Sequence, residues 1–175
     1  SDVPGISPSG NGAGAEMTRF LSYLRTVDAF VYLVRTFQIA QGALPVDYKI
    51  DPVDEVETLN LSLVLADLEV VENRLERLKN SKKMSDFERE ELKLLEAVHP
   101  RLADGMRLDL LGLTPEQVES LKGYAFLTLK PVVLVGNLSE DQFLAHDYPG
   151  RKGFSDYIAE NNLPVVELSA KIEWE

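Results

Sequence analysis

The chain has 175 residues, 45% of them hydrophobic and 27% charged, a length that suits one domain or one plus an appendage and a composition that excludes wholesale disorder. Its 29 acidic residues outnumber 18 basic ones, for a formal charge of −11, which disfavours non-specific binding to nucleic acid or anionic lipid because both reward clustered Lys and Arg. Cysteine is absent, which excludes disulfides, thiolate metal sites and cysteine nucleophiles. With no apolar run near the roughly 20 residues a bilayer requires and no basic-then-apolar leader, the expectation is a soluble cytoplasmic protein without membrane partners.

In chain order, residues 1–14 are dense in Gly, Pro, Ser and Asn and predict a loop. Met17, Phe20, Leu21 and Leu24 follow at helical spacing and predict a short amphipathic helix running through Arg25. Residues 28–35, Asp-Ala-Phe-Val-Tyr-Leu-Val-Arg, are apolar on both parities, as in a strand covered on both faces of a parallel sheet. Residues 130–137 and 163–168 repeat that pattern, and helical sequence separates the three, which predicts a parallel α/β arrangement.

A long helical interruption lies between the first two strands. Asp51-Pro52 supplies a cap and a proline at the first helical position. Leu61, Val64, Leu68, Val71, Leu75 and Leu78 then form an apolar seam of nearly three heptads. Ser85-Asp86-Phe87-Glu88 is a capping box opening a second helix with Phe87, Leu92, Leu95 and Val98 apolar, which Pro100 is expected to close. These two helices predict an antiparallel, coiled-coil-like hairpin. Thr114-Pro115-Glu116-Gln117 opens another helix. The expected division is a first part of the α/β unit over 1–50, a hairpin insert over 51–113, and the remainder of the α/β unit over 114–175.

Three short signals sit at loop ends of the parallel pattern, where such sheets place ligands. Asp2-Val3-Pro4-Gly5 is a D-x-x-G, in which the Asp can hold a Mg²⁺-bound water and the Gly can offer a backbone N–H to a terminal phosphate; a plain turn would read the same. Asn137-Leu138-Ser139-Glu140 follows a strand, and the Asn amide offers a donor and an acceptor suited to a purine edge; Ser139 with Gln142 would equally serve as a helix cap. Ser169-Ala170-Lys171 follows the last strand, and its small residues allow backbone to approach a planar ring.

Taken in order, these motifs resemble those of the YchF subfamily of Obg-related P-loop NTPases, the Obg-like ATPases. The resemblance also covers residues 27–35, 51–60, 130–132 and 169–173, and is most specific in the insert, Ala66-Asp67-Leu68-Glu69 through Leu78. It implies a partial P-loop-type parallel sheet carrying the inserted hairpin, ATP or GTP as ligand with Mg²⁺ held through Asp2, and ribosome association. Asn137 would read the base with Leu138 packing near its face, Glu140 would stand where guanine-specific relatives carry Asp, and Ser169, Ala170 and Lys171 would complete the base site. Ile6 follows Asp2 and Gly5 where Ras-type enzymes place a water-orienting Gln, which implies slow intrinsic hydrolysis.

A segment of the form G-x-x-x-x-G-K-[ST] is absent from the sequence, and Gly150-Arg151-Lys152-Gly153 reads as a turn leading a helix. The expectation is therefore the second half of a nucleotide-binding domain, inactive alone, that pairs with a missing half or with itself. The competing reading is an interaction module acting through the hairpin. With two His far apart and no thiol, no zinc site is expected.

Overall fold

The computed structural model describes residues 13–37 and 50–174. The chain divides into two compact units, one of residues 1–28 with 60–130 and one of residues 29–59 with 131–175. Residues 114–130 fall in the first of these units.

The second unit is built on three parallel strands, β1 (Phe30–Arg35), β2 (Val132–Asn137) and β3 (Val165–Leu168), in the order β1-β2-β3. Arg35 pairs with Asn137 and Asn137 with Leu168, so all three strands end at one level. The parallel α/β expectation holds. Side chains alternate between faces along a strand. One face packs into a core of Val34, Val56, Val132, Leu134, Tyr148, Phe154 and Leu163. Its cover comes from the first turns of helix α2 (Pro52–Lys79) and from helix α6 (Arg151–Glu160).

Coverage on both faces is not what the structure shows. Val31 and Leu33 are each 61% exposed and Val166 is 49% exposed, because among the described residues helices pack on one side of the sheet only. The cap at Asp51 is as expected: its Oδ1 accepts the N–H groups of Val53 at 3.2 Å and Asp54 at 3.4 Å. Gly150, at φ +84°, is the N-cap of α6, and a Cβ there would lie 3.4 Å from Pro52 Cδ.

The helical unit contains α1 (Ala13–Leu24), the remainder of α2, α3 (Asp86–Ala103) and α4 (Pro115–Leu121), with single 3₁₀ turns at Leu108–Leu110, Lys122–Tyr124 and Leu127–Leu129. Capping boxes form at Ser85/Glu88 and Thr114/Gln117, each with both reciprocal bonds. α3 does not stop at Pro100. It continues to Ala103, and the Asp104 N–H closes the last turn onto the Pro100 carbonyl at 3.0 Å. A proline removes one N–H from the ladder, a loss the final turn of a helix tolerates.

Of the expected seam of α2, Val64, Val71, Leu75 and Leu78 are buried, but Leu61 is 53% exposed and Leu68 only half-buried; Leu59, Leu63 and Asp67 are buried in the first half of the helix as well. Phe87, assigned to the core of α3, is 65% exposed; Leu95, Val98 and Leu102 are buried there.

Asp67 is fully buried, next to the half-buried Leu68. Its carboxylate accepts the Leu127 N–H at 2.9 Å and the Thr128 N–H and hydroxyl at 2.8 Å each, and pairs with the Arg25 guanidinium at 3.3 Å. Arg25 also donates to the carbonyls of Ala66 and Ala125. Lys130 donates to the carbonyls of Leu24 at 2.9 Å, Arg25 at 2.7 Å and Val27, closing the carboxyl end of α1 with one ammonium group. Between α2 and α3, Arg74 forms a two-point pair with Glu91, which also accepts from the Tyr124 hydroxyl.

Candidate functional site

The carboxyl ends of β1, β2 and β3 carry Arg35-Thr36, Asn137-Leu138-Ser139 and Leu168-Ser169-Ala170 at one level, as the register requires. Two of the three sequence signals meet there. The Asn137 Oδ1 accepts the backbone N–H of Ala170 at 3.1 Å, and the Leu138 N–H donates to the Leu168 carbonyl at 2.8 Å. Lys171 Nζ reaches Glu140 Oε2 at 2.8 Å. The turns at 137–140 and 169–171 therefore form one rim, although they lie some thirty residues apart.

Local chemistry builds each turn. Helix α5 (Glu140–Ala145) opens with a capping box in which Ser139 Oγ accepts the Gln142 N–H and Gln142 Oε1 accepts the Ser139 N–H at 3.1 Å. Ser139 is thus spent on the cap. Across the rim, helix α7 (Ala170–Trp174) begins directly after Ser169, whose carbonyl accepts the Glu173 N–H.

The groups left available are few. Asn137 uses its Oδ1 internally, and its Nδ2 has no hydrogen bond to any described residue. Ser169 is 1% exposed, yet its Oγ has no hydrogen-bond partner among the described residues, an arrangement that buried hydroxyls rarely show. Glu140 and Lys171 pair in a half-open setting, at 38% and 68% side-chain exposure, where such pairs contribute little. Leu138 is 3% exposed and belongs to the core under the sheet; its side chain packs inward, away from the open rim.

The sequence reading missed Thr36 at this rim, and the second role of Gln142 beside its cap. Thr36, 1% exposed, donates its hydroxyl to the Asn137 carbonyl, and Gln142 Nε2 donates to the Thr36 carbonyl at 2.9 Å. Aligning the strand ends of 30–35 and 132–137 would have placed Thr36 beside Asn137.

Farther down the sheet, Glu55 of α2 accepts the Arg35 N–H at 3.2 Å and the Tyr32 hydroxyl at 3.3 Å, and burial raises its pKa above the usual carboxylate value. Glu167 of β3 accepts from the Tyr148 hydroxyl at 2.9 Å and pairs with Arg151 at 3.2 Å. Burial and that carboxylate push the Tyr148 pKa up. Both clusters tie helices to strands.

Asp2, Gly5 and Ile6 lie outside the described residues. Among the described residues no group of three or more His, Asp or Glu is placed to hold a metal ion, so the Mg²⁺ assignment rests on Asp2 alone and no step is written through the ion. Two grooves, of about 470 Å³ along Glu72, Glu76, Glu96 and His99 and about 590 Å³ along Ile158 to Pro164, are not lined by any rim residue.

A parallel sheet whose loops gather outside its carboxyl ends makes this an α/β chain, a class in which that edge is the usual place for ligands. No family model matches the chain. It is 34% identical over 178 residues to the protein named ribosome-binding ATPase YchF of Haemophilus influenzae, covering 99% of this chain and 47% of that one. It is 32% identical over 148 residues to Obg-like ATPase 1 of indica rice, covering 82% of this chain and 36% of that one. Among solved structures, that of the Schizosaccharomyces pombe YchF GTPase superposes with a TM-score of 0.77 at 27% identity, over 93% of this chain and 44% of the other.

The chain belongs to the YchF/Obg-like ATPase family. It spans about half the length of the curated relatives it matches.

Proposed function

We propose that the rim is the base-binding edge of a purine-nucleotide site, and that the chain contributes it to a ribosome-associated NTPase that binds ATP or GTP with Mg²⁺ and hydrolyses it slowly in the cytoplasm. The observation that carries the reading is the bond from the Ala170 N–H to Asn137 Oδ1. It ties together two turns that the sequence flagged separately and leaves Nδ2 as a directed donor. Such a donor suits the ring-nitrogen acceptors that both purines present. The unpartnered Ser169 hydroxyl beside it is a second group that a bound base or ribose can satisfy. The names of the relatives supply the reaction class, and the absence among the described residues of any helix long and apolar enough to cross a membrane fits the compartment.

Glu140 has a definite consequence for base choice. Guanine offers two adjacent donors that a carboxylate at this place would accept, whereas adenine offers only one. A Glu held to Lys171 at 2.8 Å competes with that use, which supports relaxed or adenine-leaning recognition. By the family resemblance Asp2 and Gly5 would serve the phosphate end, and Ile6, which cannot orient water, would keep turnover slow.

Calorimetric titration with ATP and GTP in Mg²⁺, on this chain and on one extended upstream, tests the reading. Binding by the extended chain that weakens at least tenfold on Asn137→Ala is the expected result. If the extended chain bound neither nucleotide, the site would not exist.

A further inference from the structure

We infer that Thr36 and Gln142 are positioning residues that hold Asn137 in its reading orientation, a role resting on the purine-binding reading above. Thr36 follows the last residue of β1 and is 1% exposed. Its hydroxyl donates to the Asn137 carbonyl, and its own carbonyl accepts from Gln142 Nε2 at 2.9 Å. Gln142 in turn accepts the Ser139 N–H at 3.1 Å. Hydrogen bonds therefore run from β1 into α5 and back to the turn that follows Asn137.

The consequence is geometric. Asn137 is fixed at its carbonyl by Thr36, at the next N–H by the Leu168 carbonyl at 2.8 Å, and at Oδ1 by the Ala170 N–H at 3.1 Å. The Oδ1 contact alone would let the amide pivot about its oxygen. The two backbone contacts remove that freedom by holding the peptide on which the side chain stands. Nδ2 is then aimed before any ligand arrives, so binding does not have to pay for ordering it. Removing the Thr36 hydroxyl leaves the part-buried Asn137 carbonyl without that donor, and the peptide turns to recover a partner.

Gln142 has a division of labour that a simple cap lacks. A capping box needs only its Oε1 and backbone N–H, both of which Ser139 uses. The remaining Nε2 is spent on β1, so Glu would serve the cap equally well and fail the clamp, since it carries no donor.

The test is the ratio of dissociation constants for MgATP and MgCTP in the full-length protein, for wild type, Thr36→Val, Thr36→Ser and Gln142→Glu. Both nucleotides share the triphosphate, so partial unfolding weakens both alike and leaves the ratio unchanged. A clamp that aims the base reader moves the ratio. Thr36→Val and Gln142→Glu are each expected to cut the preference for ATP over CTP by about tenfold, the worth of one well-placed hydrogen bond, with Thr36→Ser restoring it. Gln142→Glu keeps the cap and gives the answer if Thr36→Val does not fold. An unchanged ratio in a wild type that prefers ATP overturns the clamp alone; a wild type with no preference overturns the purine reading and the clamp with it.

Discussion

Asp67 and Ser169 are both buried polar residues, one in the helical unit and one in the sheet unit, and their surroundings differ in one decisive respect. Asp67 accepts four donors from two stretches of chain distant in sequence, Arg25 and Leu127-Thr128. The Ser169 hydroxyl has none among the described residues. A buried group completed by its own protein is fastening; a buried group left incomplete at the carboxyl end of a parallel sheet is available to a ligand. The contrast gives Asp67 a part in stability and, under the proposed purine site, Ser169 a part in binding, and substitutions can separate the two.

The largest effect is expected at Asp67. Asp67→Ala strips partners from the N–H groups of Leu127 and Thr128 and leaves the Arg25 guanidinium uncompensated. Breaking a buried pair in this way costs about 3–5 kcal/mol, read as a lower midpoint in denaturant unfolding. A loss below about 1 kcal/mol would mean that Asp67 does not fasten the unit. Lys130→Met comes next. It frees three carbonyls at the end of α1 and is expected to cost about 2 kcal/mol by the same measurement.

Glu55 gives an intermediate effect with a sign. Burial raises its folded pKa above the ordinary 4.5, so the folded state keeps a proton that the unfolded chain has released. The stability this contributes is complete below about 4.5 and is lost as pH rises through the folded value. The stability difference between wild type and Glu55→Gln, followed by urea unfolding across pH, is expected to slope in that window, by no more than about 1.4 kcal/mol per unit for one proton. A flat difference would show that the Arg35 N–H and Tyr32 hydroxyl offset the burial.

The same residues show what the sequence made legible. Capping boxes at Ser85, Thr114 and Ser139 are encoded by residues three apart and could be read directly, as could the three strands and their parallel sense. Val64, Val71, Leu75 and Leu78 of the α2 seam could be read too, but Asp67 could not, because a pattern reader follows apolar residues and picks Leu68 beside it. The justification for Asp67 comes from residues 127 and 128, far along the chain. The open sheet face was equally hidden: continuous apolar strands state that both faces want cover, not which face the described helices provide. At the rim, Asn137 and Ser169–Lys171 were visible as motifs, whereas Thr36 carried no signal beyond its place after a strand. Long-range register, not local pattern, gives it a role.

Ser169→Ala is the smallest expected effect on stability and the sharpest test of the contrast. Where a hydroxyl is satisfied within the protein, removing it costs about 1 kcal/mol; where it is buried without a partner, removal relieves a desolvation penalty and is neutral or slightly stabilising. The unfolding midpoint of Ser169→Ala should therefore match or exceed that of wild type. Its affinity for MgATP should fall several-fold, because the hydroxyl's missing partner is supplied by the ligand. The two readouts move in opposite directions only if the Ser169 hydroxyl belongs to the binding site. A variant that lost stability and kept its affinity would place Ser169 with Asp67, as a fastening of the sheet unit.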